Sequence, residues 1–244
     1  MADTAPTVDK ETLRKRVWNE LEEREQARFP FPPHGRISNF AGADEAADRL
    51  AELDAWRSAD VIKANPDAPQ LPVRRAALRE GKILYMAVPR LRDAKCFFRL
   101  DPETIDDIDS ATTVSGCSRF GERVGPDEME PIDLIVSGSV AVNERGARVG
   151  KGEGYSDLEF GILREFGLVD DDTVTVTTVH GIQFVDEVIA TASYDVPMEL
   201  IVTPERTVRA DIGDGKPSGL EWETLEESRF EKIPVLAELR PDTQ

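Results

Sequence analysis

A run of glycines at every second position, set between an apolar strand and an amphipathic helix, constrains this chain more than any other feature. The segment reads Gly146-Ala147-Arg148-Val149-Gly150-Lys151-Gly152-Glu153-Gly154-Tyr155-Ser156-Asp157. Ahead of it lies the longest apolar run, Ile132–Val142, broken at Ser137-Gly138-Ser139 and expected to be a central strand. Behind it, Tyr155, Leu158, Ile162 and Phe166 recur at helical spacing. A strand feeding a helix through a tight loop is the repeating unit of α/β proteins.

The rest of the chain keeps that alternation. Helices are expected over residues 8–28, capped by Asp9, over Asp44–Trp56, and over Val73–Arg79 with Gly81 as its stop. Strands are expected at Asp60–Ala64, Ile83–Val88, Thr173–His180 and Met198–Val202. Residues 101–130 carry no clear pattern. The fold class is therefore α/β, a mostly parallel sheet with helices on both faces. Beyond about Pro204 the chain turns polar and forms an acidic extension, 205–244, in which Gly213–Gly219 reads as a flexible link; the tail after about residue 212 reads as dispensable for chemistry. Trp222, Leu225 and Phe230 are the residues of that extension able to dock on the body.

Within the glycine segment, backbone N–H groups can converge on an anion, reinforced by the helix N-terminus that follows. Arg148 and Lys151 add positive charge, and Asp157 in the first helical turn is placed to hold a hydrated Mg²⁺. By residues alone two readings stand. Either the segment cradles a nucleotide phosphate, or it is only a turn whose Asp157 complements the helix dipole. It matches neither the Gly-x₄-Gly-Lys-Ser/Thr loop nor the Gly-x-Gly-x-x-Gly fingerprint.

The segment resembles the signature Gly-x-Arg-Leu-Gly-x-Gly-x-Gly-Tyr-Tyr-Asp of the 5-formyltetrahydrofolate cyclo-ligase family, matching at Gly146, Arg148, Gly150, Gly152, Gly154, Tyr155 and Asp157. Lys10 and Arg14 resemble the family's Lys-x-x-x-Arg on an N-terminal helix, and Gln183, Tyr194–Glu199 and Thr203 follow in the expected order. The resemblance covers about residues 8–204. It looks closest to a divergent branch, the methenyltetrahydrofolate synthase domain-containing proteins, through Ser139–Val142, Gly152–Tyr155 and Thr177–His180. It implies the fold of the cyclo-ligases, which belongs with sugar-phosphate isomerases and CoA-transferases. The implied reaction is ATP- and Mg²⁺-dependent closure of 5-formyltetrahydrofolate to 5,10-methenyltetrahydrofolate.

The site residues implied are Lys10, Arg14, Arg148, Gly150, Lys151, Gly152, Glu153 and Gly154 for ATP, Asp157 for the metal, and Asn65, Tyr155 and Gln183 for the reduced folate. Arg148 and Tyr155 are the implied catalytic pair. Four departures stand out: Ser156 replaces the second tyrosine, Glu153 places a negative charge among the glycines, Ser137 stands where proline is usual, and Asn65–Gln70 lacks the family's folate-holding acid and threonine. Two other readings follow from them. One is a folate- or nucleotide-binding module without catalysis; the other is an enzyme of the wider fold group with another substrate.

Composition narrows the setting. Cys96 and Cys117 are too few for a disulfide framework, and with His34 and His180 they make a poor zinc set, so a reducing cytoplasm is expected. The start, Met1-Ala2-Asp3-Thr4, has no apolar region of a secretion signal, and no apolar run is long enough for a membrane span. The 48 acidic residues against 30 basic ones leave a net charge of −18, spread along the chain. No basic stripe exists for nucleic acid. A dispersed negative surface suits concentrated salt, where screening acts over about 3 Å at 1 M, and reads as halophilic. The unfolding temperature should accordingly rise between dilute buffer and molar KCl; a flat or falling value would remove that reading.

Overall fold

A computed structural model describes residues 7–213 and 215–241. The acidic start Met1-Ala2-Asp3-Thr4, Asp214 and residues 242–244 lie outside the described residues. Eight strands form the central sheet: β1 (Val61–Ala64), β2 (Ile83–Ala87), β3 (Phe97–Leu100), β4 (Glu122–Val124), β5 (Leu134–Val136), β6 (Val174–Thr178), β7 (Leu200–Val202) and β8 (Thr207–Arg209). Their order is β8-β7-β6-β5-β1-β2-β3-β4. The five inner strands from β7 to β2 are parallel, and β8, β3 and β4 add antiparallel at the two sides.

The inner strands read as continuous apolar runs because both faces are covered. Alternation decides which residue meets which layer. Ile62, Ala64, Leu84, Met86, Leu134, Val136 and Val176 face one core, closed by α2 (Ala43–Ala51) and α3 (Leu71–Arg79). Tyr85, Ala87, Phe97, Ile135 and Ile201 face the other, closed by α4 (Tyr155–Glu165). The N-terminal helix α1 (Lys10–Glu23) is capped by Asp9, whose carboxylate accepts from the N–H groups of Glu11 and Thr12. It buries Leu13, Val17 and Leu21 against a small three-stranded sheet.

Two expected elements differ. Ile132–Val142 is not one strand: Leu134–Val136 belongs to the central sheet, whereas Ala141–Asn143 pairs with Arg148–Val149 and Phe184–Val185 in the small one. The polar break at Ser137–Ser139 is where the chain changes sheets. Asp44–Trp56 is likewise two helical pieces, because Leu53 is extended at ψ 146°.

Residues 205–241 do not stand apart from the body. Thr207–Arg209 completes the sheet as β8. The short helices α5 (Glu227–Lys232) and α6 (Pro234–Leu239) return to α4, and Ile233, Val235 and Leu236 are at most 1% exposed in the core they share with it. Trp222, Leu225 and Phe230 dock only partly. Truncating a fully buried leucine costs about 2–5 kcal/mol. Leu236→Ala should thus lower the urea midpoint as much as a central-core truncation does, and a chain ending at Ile212 should lower it further; unchanged midpoints would show a loosely held segment.

Candidate functional site

A cavity of about 360 Å³ opens at the carboxyl ends of the parallel strands. It lies where the sheet order reverses, between β1, whose chain continues to β2 on one side, and β5 on the other. Open parallel sheets bind ligands at such switch points. Asn65 and Asp67 follow β1, Gly138 follows β5, and Pro89 and Arg90 follow β2. The facing wall is Arg148, Gly150, Lys151, Glu153, Gly154, Tyr155 and Asp157.

Local sequence shapes each wall. Gly152 and Gly154 take φ values of 106° and 71°, a left-handed backbone that side chains with a Cβ resist. Arg90 and Leu91 adopt φ values of 62° and 51° without that freedom. Such strain costs about 1–2 kcal/mol per residue, and it clusters at functional sites. Leu91 is wholly buried, which holds the turn and sets Arg90 on the cavity rim.

The Asn65–Asp67 turn is fixed from below by Arg74, 1% exposed. Its guanidinium donates to the carbonyls of Asn65 at 2.6 Å, Asp67 at 2.9 Å and Thr112 at 2.9 Å. Burial pushes its pKa down to about 10, so it stays charged at neutral pH. Beneath the cavity Lys63 of β1 pairs with Glu159 of α4, both nearly fully buried, and Lys63 also donates to Asn65 Oδ1 at 3.2 Å.

The glycine loop is closed by an ion pair. Arg148 Nη2 donates to Asp157 Oδ1 at 2.7 Å, and the same oxygen accepts from the Val196 N–H at 3.0 Å. Arg148 Nη1 donates to the Gly138 carbonyl at 3.1 Å, while its buried Nε has no partner among the described residues. Arg14 reaches the loop from α1, with Nε donating to the Gly150 carbonyl at 2.7 Å. A Cβ at Gly150 would lie 3.3 Å from Arg148 Nη1, and one at Gly152 3.5 Å from the Arg14 guanidinium carbon. Glycine therefore keeps open the space before both cations. That space and the orphaned Arg148 donor suit a phosphate oxygen.

For Mg²⁺ the fit rests on Asp157 alone. Oδ1 is taken, and Oδ2 makes no hydrogen bond among the described residues. No group of three or more acidic, histidine or cysteine side chains able to hold a metal occurs among the described residues. Mg²⁺ is commonly held by one or two carboxylates plus substrate phosphates, so one free carboxylate oxygen is compatible.

The structure brings Asn65, Arg148, Gly150, Lys151, Glu153, Gly154, Tyr155 and Asp157 to one cavity. Gly152 and Arg14 line no part of that cavity; Arg14 meets the loop at the Gly150 carbonyl. Lys10 is turned to Asp195, at 2.5 Å. Gln183 lines no part of the cavity; it is 1% exposed, and its amide donates to the carbonyls of Ser139 and Val140, bracing the break between the sheets. Glu153 does not repel a phosphate unopposed, since its carboxylate pairs with Lys151 Nζ at 2.7 Å. The turn after β1 does carry an acid into the cavity, Asp67, two residues beyond Asn65. The sequence signals for the missed Lys63 and Glu159 were a charged residue inside an apolar strand and another on an apolar helix.

A mostly parallel sheet with a cavity and a glycine loop at its switch point defines an α/β protein with a ligand-sized site at the carboxyl ends of its strands. The profile of the 5-formyltetrahydrofolate cyclo-ligase family matches residues 6–204, and the chain belongs to that family. It is 40% identical over 242 residues to the Mus musculus methenyltetrahydrofolate synthase domain-containing protein, covering 98% of this chain and 65% of that one. The Danio rerio protein of the same name is 38% identical over 234 residues, 93% of this chain and 60% of that one. The chain thus spans less than two thirds of the length of these relatives. The NMR structure of the Aquifex aeolicus 5,10-methenyltetrahydrofolate synthetase superposes with a TM-score of 0.54 at 21% identity, over 87% of this chain and 96% of that one. This superposition supports the fold. No helix among the described residues is long and apolar enough to cross a membrane.

Desolvation raises the Asp67 carboxyl above its ordinary 3.8, with Lys151 and Arg74 opposing. The native state then holds a proton that the unfolded chain has released, so this group loses stability as pH rises from about 3.8 through its raised value. Asp67→Asn lacks that loss. The gap in unfolding temperature, variant minus wild type, should widen over this window and level off above it; a gap that does not change with pH would place Asp67 in ordinary solvent.

Proposed function

We propose that this chain closes 5-formyltetrahydrofolate to 5,10-methenyltetrahydrofolate with ATP and Mg²⁺. The observation that carries the reading is the cavity itself: a cationic glycine loop faces an acid-bearing turn across one space, in a chain of the cyclo-ligase family. The formyl oxygen is a poor leaving group. Phosphoryl transfer from ATP makes it part of a phosphate, which N10 of the folate then displaces from the formyl carbon.

Such chemistry asks the protein to position and to neutralise charge. Arg148 supplies a planar donor fork, and its unpartnered Nε is an additional donor. The amides of Gly150–Gly154, Lys151 and Arg14 surround the phosphates. Asn65, Asp67 and Tyr155 hold the folate, Asp67 as a hydrogen-bond partner for its ring nitrogens. Asp157 Oδ2 would hold Mg²⁺, which would supply positive charge against the phosphates. Cys96 and Cys117 are free and buried, in keeping with a reducing cytoplasm.

One observation favours the second reading, a binding module without turnover. Lys10, Arg148 and Lys151 already face Asp195, Asp157 and Glu153, so a phosphate must compete with three carboxylates.

Separate titrations of ATP·Mg²⁺ and 5-formyltetrahydrofolate, with a spectroscopic assay for methenyltetrahydrofolate, decide between them. Turnover supports the cyclo-ligase, both bindings without turnover the module, and neither binding removes both. Losing one charge-assisted phosphate contact costs roughly ten- to a hundredfold in affinity. Arg148→Ala should show that loss, with Arg148→Lys retaining part of it. Gly152→Val should be worse, because its Cβ meets Arg14 at a φ valine resists. Asp157→Asn should reduce turnover more than binding. Unfolding curves accompany each variant; folded variants that bind ATP·Mg²⁺ like wild type would reduce the loop to a turn.

A further inference from the structure

The family profile ends at residue 204, yet 98% of the chain is matched by the Mus musculus relative. The segment from Gly219 to Arg240 forms a strap across α4 and the glycine loop. It is anchored at both ends. Leu220 fills the place of an absent side chain at Gly161, where a Cβ would lie 2.7 Å from Leu220 Cδ2. The Leu220 N–H donates to Glu165 Oε1 at 2.8 Å. At the far end Ile233, Val235 and Leu236 enter the core. Between the anchors Trp222 stacks on Phe230 with centroids 6.4 Å apart, and Arg240 lies 4.4 Å over the Phe230 ring.

From the segment between these anchors Arg229 reaches the loop twice. Its Nη2 donates to the Glu153 carbonyl at 2.6 Å, and its guanidinium carbon sits 4.8 Å over the Tyr155 ring. A trans peptide holds its C=O and N–H in one plane, pointing in opposite directions. Holding the Glu153 carbonyl toward the strap therefore fixes the Gly154 N–H away from it. Arg229 also covers one face of Tyr155, a residue of the cavity wall, while not lining that cavity itself. The interaction is a cation on an aromatic face plus a charged hydrogen bond, made at the surface of the loop.

We infer that Arg229 is a positioning residue: it sets the Glu153–Gly154 peptide and the Tyr155 ring for ligand binding. The inference rests on the reading of the glycine loop as the phosphate site.

Arg229→Met keeps the length and apolar stem but removes charge and donors, and Arg229→Lys keeps only the cation. Backbone ¹⁵N relaxation of the full chain, as heteronuclear NOEs, reads the loop without any ligand. In Arg229→Met the NOEs of residues 150–155 should fall, while those of residues 233–236 stay at their wild-type values. ATP·Mg²⁺ should bind several-fold more weakly, with Arg229→Lys between the two. Loop NOEs equal to wild type overturn the inference. So does a fall shared equally by the loop and residues 233–236, which would make Arg229 a general fold contact. A wild type that binds no ATP·Mg²⁺ removes the phosphate reading on which positioning for ligand depends, even where relaxation shows that Arg229 holds the loop.

Discussion

The ion pair of Arg148 and Asp157 is the constraint on which the candidate site depends. One residue precedes the glycine loop and the other follows it, so their 2.7 Å contact closes residues 149–156 into a ring. Both side chains are largely removed from solvent, at 6% and 16% exposure. Removing one partner from such a pair costs about 3–5 kcal/mol, because the other charge is left buried and uncompensated. Asp157 also accepts from the Val196 N–H, and Arg148 donates to the Gly138 carbonyl. Two groups thus join the loop, the end of β5 and the segment leading into β7. The loop needs these ties, since its glycines supply backbone freedom and no side-chain packing.

A second layer holds the opposite wall. Lys63 and Glu159 join β1 to α4 below the cavity, and Arg74 gathers three carbonyls under the Asn65–Asp67 turn. Lys63, Arg74, Arg148 and Glu159 therefore place four buried charges at the seam where the sheet order reverses. The flanks of the sheet are closed by ordinary apolar packing. Geometry at the seam is fixed by directional contacts, and burial of Leu, Ile and Val supplies the general stability.

Much of this was legible in the sequence, for a definite reason. The alternation of strands and helices, the α4 face from Leu158 to Ile162, and the glycine spacing are all local patterns. Asp9 as a helix cap is another. What was not legible depends on residues far apart in the chain. Lys63 and Glu159 are 96 positions apart, and Arg229 and Glu153 are 76 apart. No period links such residues. Asp67 was visible, but that it reaches the cavity depends on where the turn after β1 lies relative to the loop. The Ile132–Val142 run shows the opposite failure: apolar residues stand on both sides of the Ser137–Ser139 break, yet Leu134–Val136 and Ala141–Asn143 serve different sheets. The polar extension misled for a similar reason, since three buried residues after Lys232 are enough to fasten it.

The two outermost strands have a consequence of their own. β4 and β8 are each three residues long and run antiparallel to their neighbours. Glu122 and Arg123 lie on one, Arg209 on the other. A sheet edge is a template for a foreign strand, and short, charged edges are poor templates. The apolar strands that could propagate pairing are confined to the interior. The same chain order that puts a cleft at the centre of the sheet thus leaves its rims blunt, guarding it against the strand-by-strand growth by which β-rich proteins aggregate.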